Sequence, residues 1–327
     1  MIAALQRYGR GLSRRVGRAL RRRIQPNALV LVYHRIAEPL DPDPWGLCVA
    51  PERFREQLDV LMRDTEVVPL AELRHAARRG FGRPRVAVTI DDGYADALHR
   101  ALPLLERHGL PATVFVPTGL VGDDAGFWWD ALADALLGAG QRPPSLALVP
   151  PALEWSGPTA SAAARAAAHD VLYALLRTAA PAARRATLAA LSHWSDARAP
   201  RDPLRRPLRA DELAELLRSP LIELGAHTVG HRWLPGCTAD ELAREVDGSL
   251  ADCARIGGRE PAAFAYPYGF HDDAARARVT AAGFGLACAG GAGLVWPDTD
   301  PLALPRYPVL DWDGAAFAER LRWTWTP

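Results

Sequence analysis

The sequence predicts an α/β fold: a parallel seven-stranded barrel wrapped by helices, with a helical insertion between its third and fourth strands. Two observations carry this expectation. Short, β-branched-rich runs alternate with helical patterns, and those runs are apolar almost throughout, as in strands covered on both faces. No glycine-rich dinucleotide turn follows the first strand, so seven strands in this order fit a barrel better than an open two-sided sheet.

In order, strands are predicted at 28–36, 85–90, 112–117, 221–226, 262–266, 283–289 and 304–310. Helical patterns fall between them at 51–63, 94–108, 239–256 and 272–282. From about 122 to 217 the alternation stops. This stretch holds "FWWDALADALL", a Pro-rich linker at 143–151 and two Ala-rich helices near 160–177 and 181–194. Leu172, Leu175 and Leu176 at helical spacing mark it as a packed insertion rather than low-complexity chain. Residues 28–327 are therefore read as one barrel domain carrying an insertion at about 122–217.

Residues 1–27 differ. Leu5, Tyr8, Leu12, Val16 and Leu20 recur at three- and four-residue steps with arginines between them. That pattern fits a basic amphipathic helix, residues 2–24, able to rest on an anionic membrane surface, or a solubilising lead-in. With no span-length apolar run and no secretory signal pattern, a cytoplasmic location is expected, peripheral on the inner membrane face if the helix binds there.

Composition narrows the function. An apolar fraction of 49% supplies a core, and a net charge of +1 gives no global case for nucleic acid. Every basic residue is arginine, which excludes Schiff-base and P-loop lysines. Cys48, Cys237, Cys253 and Cys288 are far apart, form no CxxC and read as small apolar residues.

Chemistry concentrates at predicted strand ends. "TIDDGY" places Asp91 and Asp92 where the second strand turns. "GAHTVGH" puts His227 and His231 four residues apart after the fourth strand, a spacing that sets two imidazoles on one face of a helical turn. "FAYPYG" runs from Phe264 to Gly269, and "LVYHRI" carries His34 at the end of the first strand. Two histidines and one carboxylate can seat a divalent metal with open positions, as catalytic sites do. In a parallel barrel, strand C-termini converge on one face, so these residues can meet. Adjacent residues on a strand point oppositely, so Asp92 can ligate metal while Asp91 takes a proton. A nearby cation also offsets the repulsion between them.

These motifs together resemble the polysaccharide deacetylase family, the NodB-homology domain of carbohydrate esterase family four. "TIDDGY" resembles its first motif, "HTVGH" its second, and "FAYPYG" its third, with Ala265 where the family has arginine. The resemblance runs from about Leu29 to Val309. It implies a distorted (β/α)7 barrel and metal-dependent removal of N- or O-acetyl groups from a polysaccharide, oligosaccharide or lipid-linked saccharide in bacterial envelope polysaccharide biosynthesis. By it, Asp92, His227 and His231 would bind Zn2+ or another divalent ion (Co2+, Ni2+, Mn2+ or Fe2+), and Asp91 would be the general base. The backbone N–H of Tyr268, next to Pro267, would hold the oxyanion. Arg306 in "LPRYPV" would replace the missing arginine, and His34 the missing general acid, because biofilm-polysaccharide deacetylases of the family use a first-strand histidine. Among tryptophans that could form a sugar platform (Trp128, Trp129, Trp233, Trp296), Trp233 is the strongest candidate. The two departures leave an alternative open: a carbohydrate-binding barrel that has lost catalysis. A two-His-one-carboxylate iron oxygenase also fits the ligand types, but leaves the second carboxylate without a use.

Overall fold

The computed structural model describes residues 28–39, 43–77, 83–195, 202–261 and 263–325. The amphipathic segment expected at 2–24 lies outside them. Seven parallel strands form the main path of an eight-stranded central sheet: β1 (Ala28–Tyr33), β2 (Arg85–Ile90), β3 (Ala112–Val116), β4 (Ile222–Ala226), β5 (Ala263–Ala265), β6 (Leu286–Cys288) and β7 (Tyr307–Pro308). Their spatial order is β6-β5-β4-β3-β2-β1-β7. Leu304 N–H donates to Ala287 at 2.8 Å and Ala289 N–H donates to Leu304 at 2.8 Å. Three residues later Tyr307 pairs with Leu31 of β1. One short segment thus touches both ends of the sheet and curls it into the distorted (β/α)7 barrel.

The apolar strands are explained by a core on each side. Leu29, Leu31 and Tyr33 of β1 pack outward with Val86, Val88 and Ile90 of β2 against Phe54, Leu58 and Leu61 of helix α1 (Pro51–Asp64). The alternate residues Ala28, Val30, Ala87, Ala263, Ala265 and Cys288 fill a second cluster around Phe115. Small residues facing inward match the narrow interior of a small barrel.

Some elements were not legible. The two-residue strand Glu66–Val67 pairs with the start of β2, and Arg85 meets Glu66 at 3.2 Å. It leads into α2 (Leu70–Ala77). The pattern at 94–108 becomes α-helical only at α3 (Leu102–His108), after a π-helical turn at Ala97–Ala101.

Between β3 and β4 lies the insertion. Its helices are α4 (Trp128–Leu136), α5 (Ala162–Thr178) and α6 (Pro181–Trp194), followed by α7 (Ala210–Leu216). The Pro-rich stretch expected as a linker instead contributes to a two-stranded antiparallel ladder, Ser145–Leu148 with Trp155–Pro158. Leu146 and Leu148 alternate inward onto the aromatic core of α4, which is why the stretch is ordered. After β4 the chain runs helically through Ala239–Leu242, Ala243–Asp247 and Gly248–Gly257, then into Asp273–Ala281 after β5. The chain's last helix is Gly314–Trp325. Among the described residues no helix is long and apolar enough to cross a membrane.

A buried ion-pair cluster joins the barrel to the chain returning from the insertion. Arg35, 2% exposed, meets Asp96 at 3.0 Å and Asp202 at 2.8 Å; Arg100 also meets Asp202, at 2.9 Å. Replacing Arg35 by Met would leave Asp96 buried without its counter-charge. The expected cost is about 3–5 kcal/mol, read as a lower urea midpoint at unchanged slope. Arg55→Met, on the exposed face of α1, should leave the midpoint nearly unmoved.

Candidate metal and catalytic site

The backbone ladder carries Asp91 directly off β2: its N–H donates to Tyr33 O at 2.9 Å. Asp92 then turns left-handed at φ 70°, followed by Gly93 at 66°. A side chain at Gly93 would also meet Val116 at 3.1 Å, so the turn accepts only glycine comfortably there. Because of this turn the two carboxylates do not diverge as strand alternation predicts. Both face His227, whose Nε2 is 3.6 Å from Asp92 Oδ1 and 3.9 Å from Asp91 Oδ2.

His227 and His231 flank a turn rather than sit on a helix, with left-handed backbone at Thr228 (φ 64°) and His231 (φ 50°). Four hydrogen bonds to other elements impose this shape. Thr118 and Gly119 N–H groups donate to Thr228 and Val229 carbonyls, and the N–H groups of Val229 and Gly230 both donate to Glu245 Oε2, at 3.0 and 2.8 Å. The rings still meet, with centroids 4.7 Å apart. Among the described residues only four non-glycines have positive φ, and the fourth is Tyr268 (φ 61°) in the third motif. All four lie in the motifs, the distribution expected when strain is tolerated for function.

The donor set fits a cation. His227 Nδ1 lies 2.7 Å from the Ala265 carbonyl, which can only accept, so Nδ1 carries a proton and Nε2 is the ring atom turned toward Asp92. His231 Nε2 is 3.3 Å from the same carboxylate oxygen. Burial, against the pull of Asp92, pushes the His231 imidazole down to about 3, so its ring is neutral at pH 7. Burial opposes the charge of Asp92, but its histidine neighbours hold the carboxyl well below the usual range. One ligand atom from each of Asp92, His227 and His231 lies within 4.8 Å of the others. Acceptors pointed at one another in a buried place are relieved by a bound metal ion.

Arg306, just before β7, reaches across β1 and donates to Asp91 Oδ1 at 2.7 Å. Both groups are buried, 6% and 3% exposed. Burial alone would raise the Asp91 carboxyl, but the guanidinium and His227 hold it below its ordinary value. A guanidinium thus stands beside Asp91 although the third motif carries Ala265.

A cavity of about 440 Å³ opens over these groups, lined by His34, Asp91, Asp92, His227, His231, Tyr268 and Arg306. Tyr268 packs its ring edge-on against His231 at 4.6 Å. In the turn Pro267–Gly269 the internal hydrogen bonds come from Gly269 and Phe270 N–H, not from Tyr268. Gly269 is obligatory: a Cβ there would lie 2.5 Å from Gly290 Cα. Trp233 stands beside the cavity, with its ring 6.0 Å from Tyr268 and 5.1 Å from Phe270.

Other wall residues were missed from sequence. Trp45 enters from the loop after β1, and Tyr173 and Arg177 come from α5. The signal for the last two was present as an i,i+4 pair on one helix face. Of the sugar-platform tryptophans, Trp129 lines the cavity while Trp128 and Trp296 do not. Trp129 lies 4.8 Å from His231 and is held by a chain of contacts: its Nε1 donates to Tyr94 OH, which donates to Asp130, which in turn meets Arg205.

The family model for polysaccharide deacetylases matches residues 78–287. The chain belongs to the polysaccharide deacetylase family. The deacetylase barrel recurs in solved structures. Streptococcus pyogenes deacetylase PplD in complex with acetate is 17% identical, with a TM-score of 0.61 over 92% of this chain and 99% of that one. IcaB from Ammonifex degensii is 18% identical, with a TM-score of 0.59 over 92% and 97%. A de-N-acetylase from Aggregatibacter actinomycetemcomitans is 14% identical, with a TM-score of 0.53 over 88% and 95%. At these identities the likeness concerns the fold. No curated protein sequence matches the chain.

The Asp91–Arg306 pair makes a pH-dependent contribution to the metal-free deacetylase barrel. A depressed folded pKa stabilises above the unfolded carboxylate value of about 3.9, and the gain is lost as pH falls through the folded value. In Arg306→Met the Asp91 carboxyl should titrate above its ordinary range, followed by carboxyl-carbon NMR. Stability at pH 7 should fall by about 3–5 kcal/mol, shrinking in acid. An unchanged Asp91 titration would show that Arg306 does not govern it.

Proposed function

We propose that the chain is a metal-dependent hydrolase that removes N-acetyl (or O-acetyl) groups from a polysaccharide, oligosaccharide or lipid-linked saccharide, as a step in bacterial envelope polysaccharide biosynthesis. The observation that carries this reading is the placement of Asp91, paired to Arg306, beside the Asp92–His227–His231 trio at the floor of one cavity. Asp92, His227 and His231 hold the metal; Zn2+ suits two imidazoles and a carboxylate, and Co2+, Ni2+, Mn2+ and Fe2+ accept the same donors. When bound, such a cation acidifies water and polarises an acyl carbonyl.

The protein's own groups then divide the work. Asp91 Oδ2 takes the proton of the attacking water as its oxygen bonds to the acetyl carbon. Arg306, on Oδ1, keeps that carboxylate ionised and fixes its direction. The Tyr268 N–H, following Pro267, donates to the developing oxyanion. His34 gives a proton to the leaving nitrogen or oxygen as its bond to the acyl carbon breaks, releasing acetate and the free amine or hydroxyl. Trp233 and Trp129 offer apolar faces to sugar rings. The Arg306–Asp91 contact favours catalysis over a binding-only barrel, because the charge missing from the third motif is present at the base.

Acetate release from a panel of N-acetylated oligosaccharides, with Zn2+ or Co2+ added, tests the assignment. Asp91→Asn should lower kcat by about 10²–10⁴-fold while metal content stays near wild type. His227→Ala should lose both metal and turnover. Undiminished acetate release by either variant would remove the assigned roles.

A further inference from the structure

The cleft carries one positive charge that the hydrolytic reading does not use. Its charged lining residues are Asp91, Asp92, Arg177 and Arg306. Arg306 is neutralised by Asp91, and Asp92 faces the two histidines. Arg177 remains. Among the described residues it makes no ion pair, and its Nε is buried without a hydrogen-bond partner. Of the other interior guanidinium groups, Arg35 has Asp96 and Asp202 and Arg205 has Asp130 and Asp134, while Arg184 donates to backbone carbonyls.

Arg177 is also held in place. Its guanidinium lies 4.4 Å from the ring centre of Trp233 and about 6 Å from those of Tyr268 and Phe270. Stacking on aromatic faces occupies the flat sides of a guanidinium and leaves its N–H edge for an in-plane acceptor. The last turn of α5 is fastened from behind. Arg184 donates Nε–H to Leu176 O at 3.0 Å and an Nη2–H to Arg177 O at 3.2 Å, while stacking on Trp128. Tyr173, one turn earlier on the same face, lines the cleft too and packs against Trp45 at 4.6 Å. A guanidinium held in this way at the wall of the cleft suits an oxyanion, carboxylate or phosphate.

From this we infer that Arg177 is a specificity-determining residue that recognises an acidic group on the saccharide, next to the acyl-bearing sugar. The inference rests on the deacetylase reading of the site. The distance to the chemistry is short, because one ring, Tyr268, touches both His231 and the neighbourhood of Arg177. The anion therefore sits on the reacting sugar or its immediate neighbour. Phe270, 54% exposed at the rim, and Trp233 supply the apolar surface beside it.

The test compares three probes on the full chain: neutral chitotetraose, a hyaluronan tetrasaccharide carrying carboxylates, and N-acetylglucosamine 1-phosphate. Calorimetric binding is measured alongside acetate release. Binding needs no turnover, so loss of the anion preference and failure of the deacetylase reading are separate results. Wild type should bind at least one acidic probe about 10- to 100-fold tighter than the neutral one, the range of a charge-assisted hydrogen-bonded pair. Which acidic probe gains separates an acidic sugar from a sugar phosphate. That preference should decline with added NaCl, fall to near one in Arg177→Met, and be partly kept in Arg177→Lys. Equal binding of acidic and neutral probes by wild type, or a preference that survives in Arg177→Met, would overturn the inference.

Discussion

The structure turns on an arrangement that is unfavourable by itself: the Asp91 and Asp92 carboxylates and the Nε2 atoms of His227 and His231 are pressed around one buried point. No ordinary packing argument brings such groups together, since each would rather face water or a donor. Three conditions make it tolerable. Arg306 neutralises one carboxylate, the Ala265 carbonyl fixes the His227 tautomer, and the space among Asp92, His227 and His231 suits a cation. The left-handed backbone at Asp92, Thr228, His231 and Tyr268 costs of order 1 kcal/mol per residue. That cost is spread over a rigid parallel sheet, whose ladder runs unbroken into Asp91 and whose strand ends all deliver side chains to one face.

The insertion between β3 and β4 completes what the barrel leaves open. A bare barrel would present the acidic cluster at a shallow rim. Trp129 from α4 closes one side against His231, and its orientation is set through Tyr94, Asp130 and Arg205 rather than by packing alone. Tyr173 and Arg177 from α5 raise another wall. The buried Arg35–Asp96–Asp202 cluster ties the chain leaving the insertion to the first strand, so barrel and insertion share one polar framework. In the proposed mechanism the chemistry comes from strand ends, and the proposed sugar contacts come from the insertion, through Trp129 and Arg177, and from Trp233 after β4. Strand-end geometry can then be retained while an insertion of this kind varies.

Legibility from sequence followed the range of the forces involved. Six of the barrel strands were readable as mainly apolar runs between polar turns, whereas β7, only Tyr307–Pro308, lies within the longer run read at 304–310 and is defined by its pairing with β1. Strand Glu66–Val67 was not, because two residues carry no periodicity and are defined only by pairing with β2. The hairpin-like pair Ser145–Leu148 and Trp155–Pro158 was hidden by prolines that read as a linker. Asp91, Asp92, His227 and His231 were legible as a set because local motifs announce them. The turn that makes both carboxylates face His227 was not, since strand alternation alone predicts the opposite.

The sequence by itself determined the alternating strands and helices, the carboxylate and imidazole donors and the place of the insertion, because periodicity, turn residues and short motifs are local properties of the chain. Only the tertiary structure decided that Arg306 is the partner of Asp91, that His227 and His231 converge through a left-handed turn, and that Arg177 stands over the cleft with no carboxylate partner among the described residues. Those contacts join residues far apart along the chain, and they are settled by strand order, barrel closure and the packing of α5, none of which a local pattern encodes.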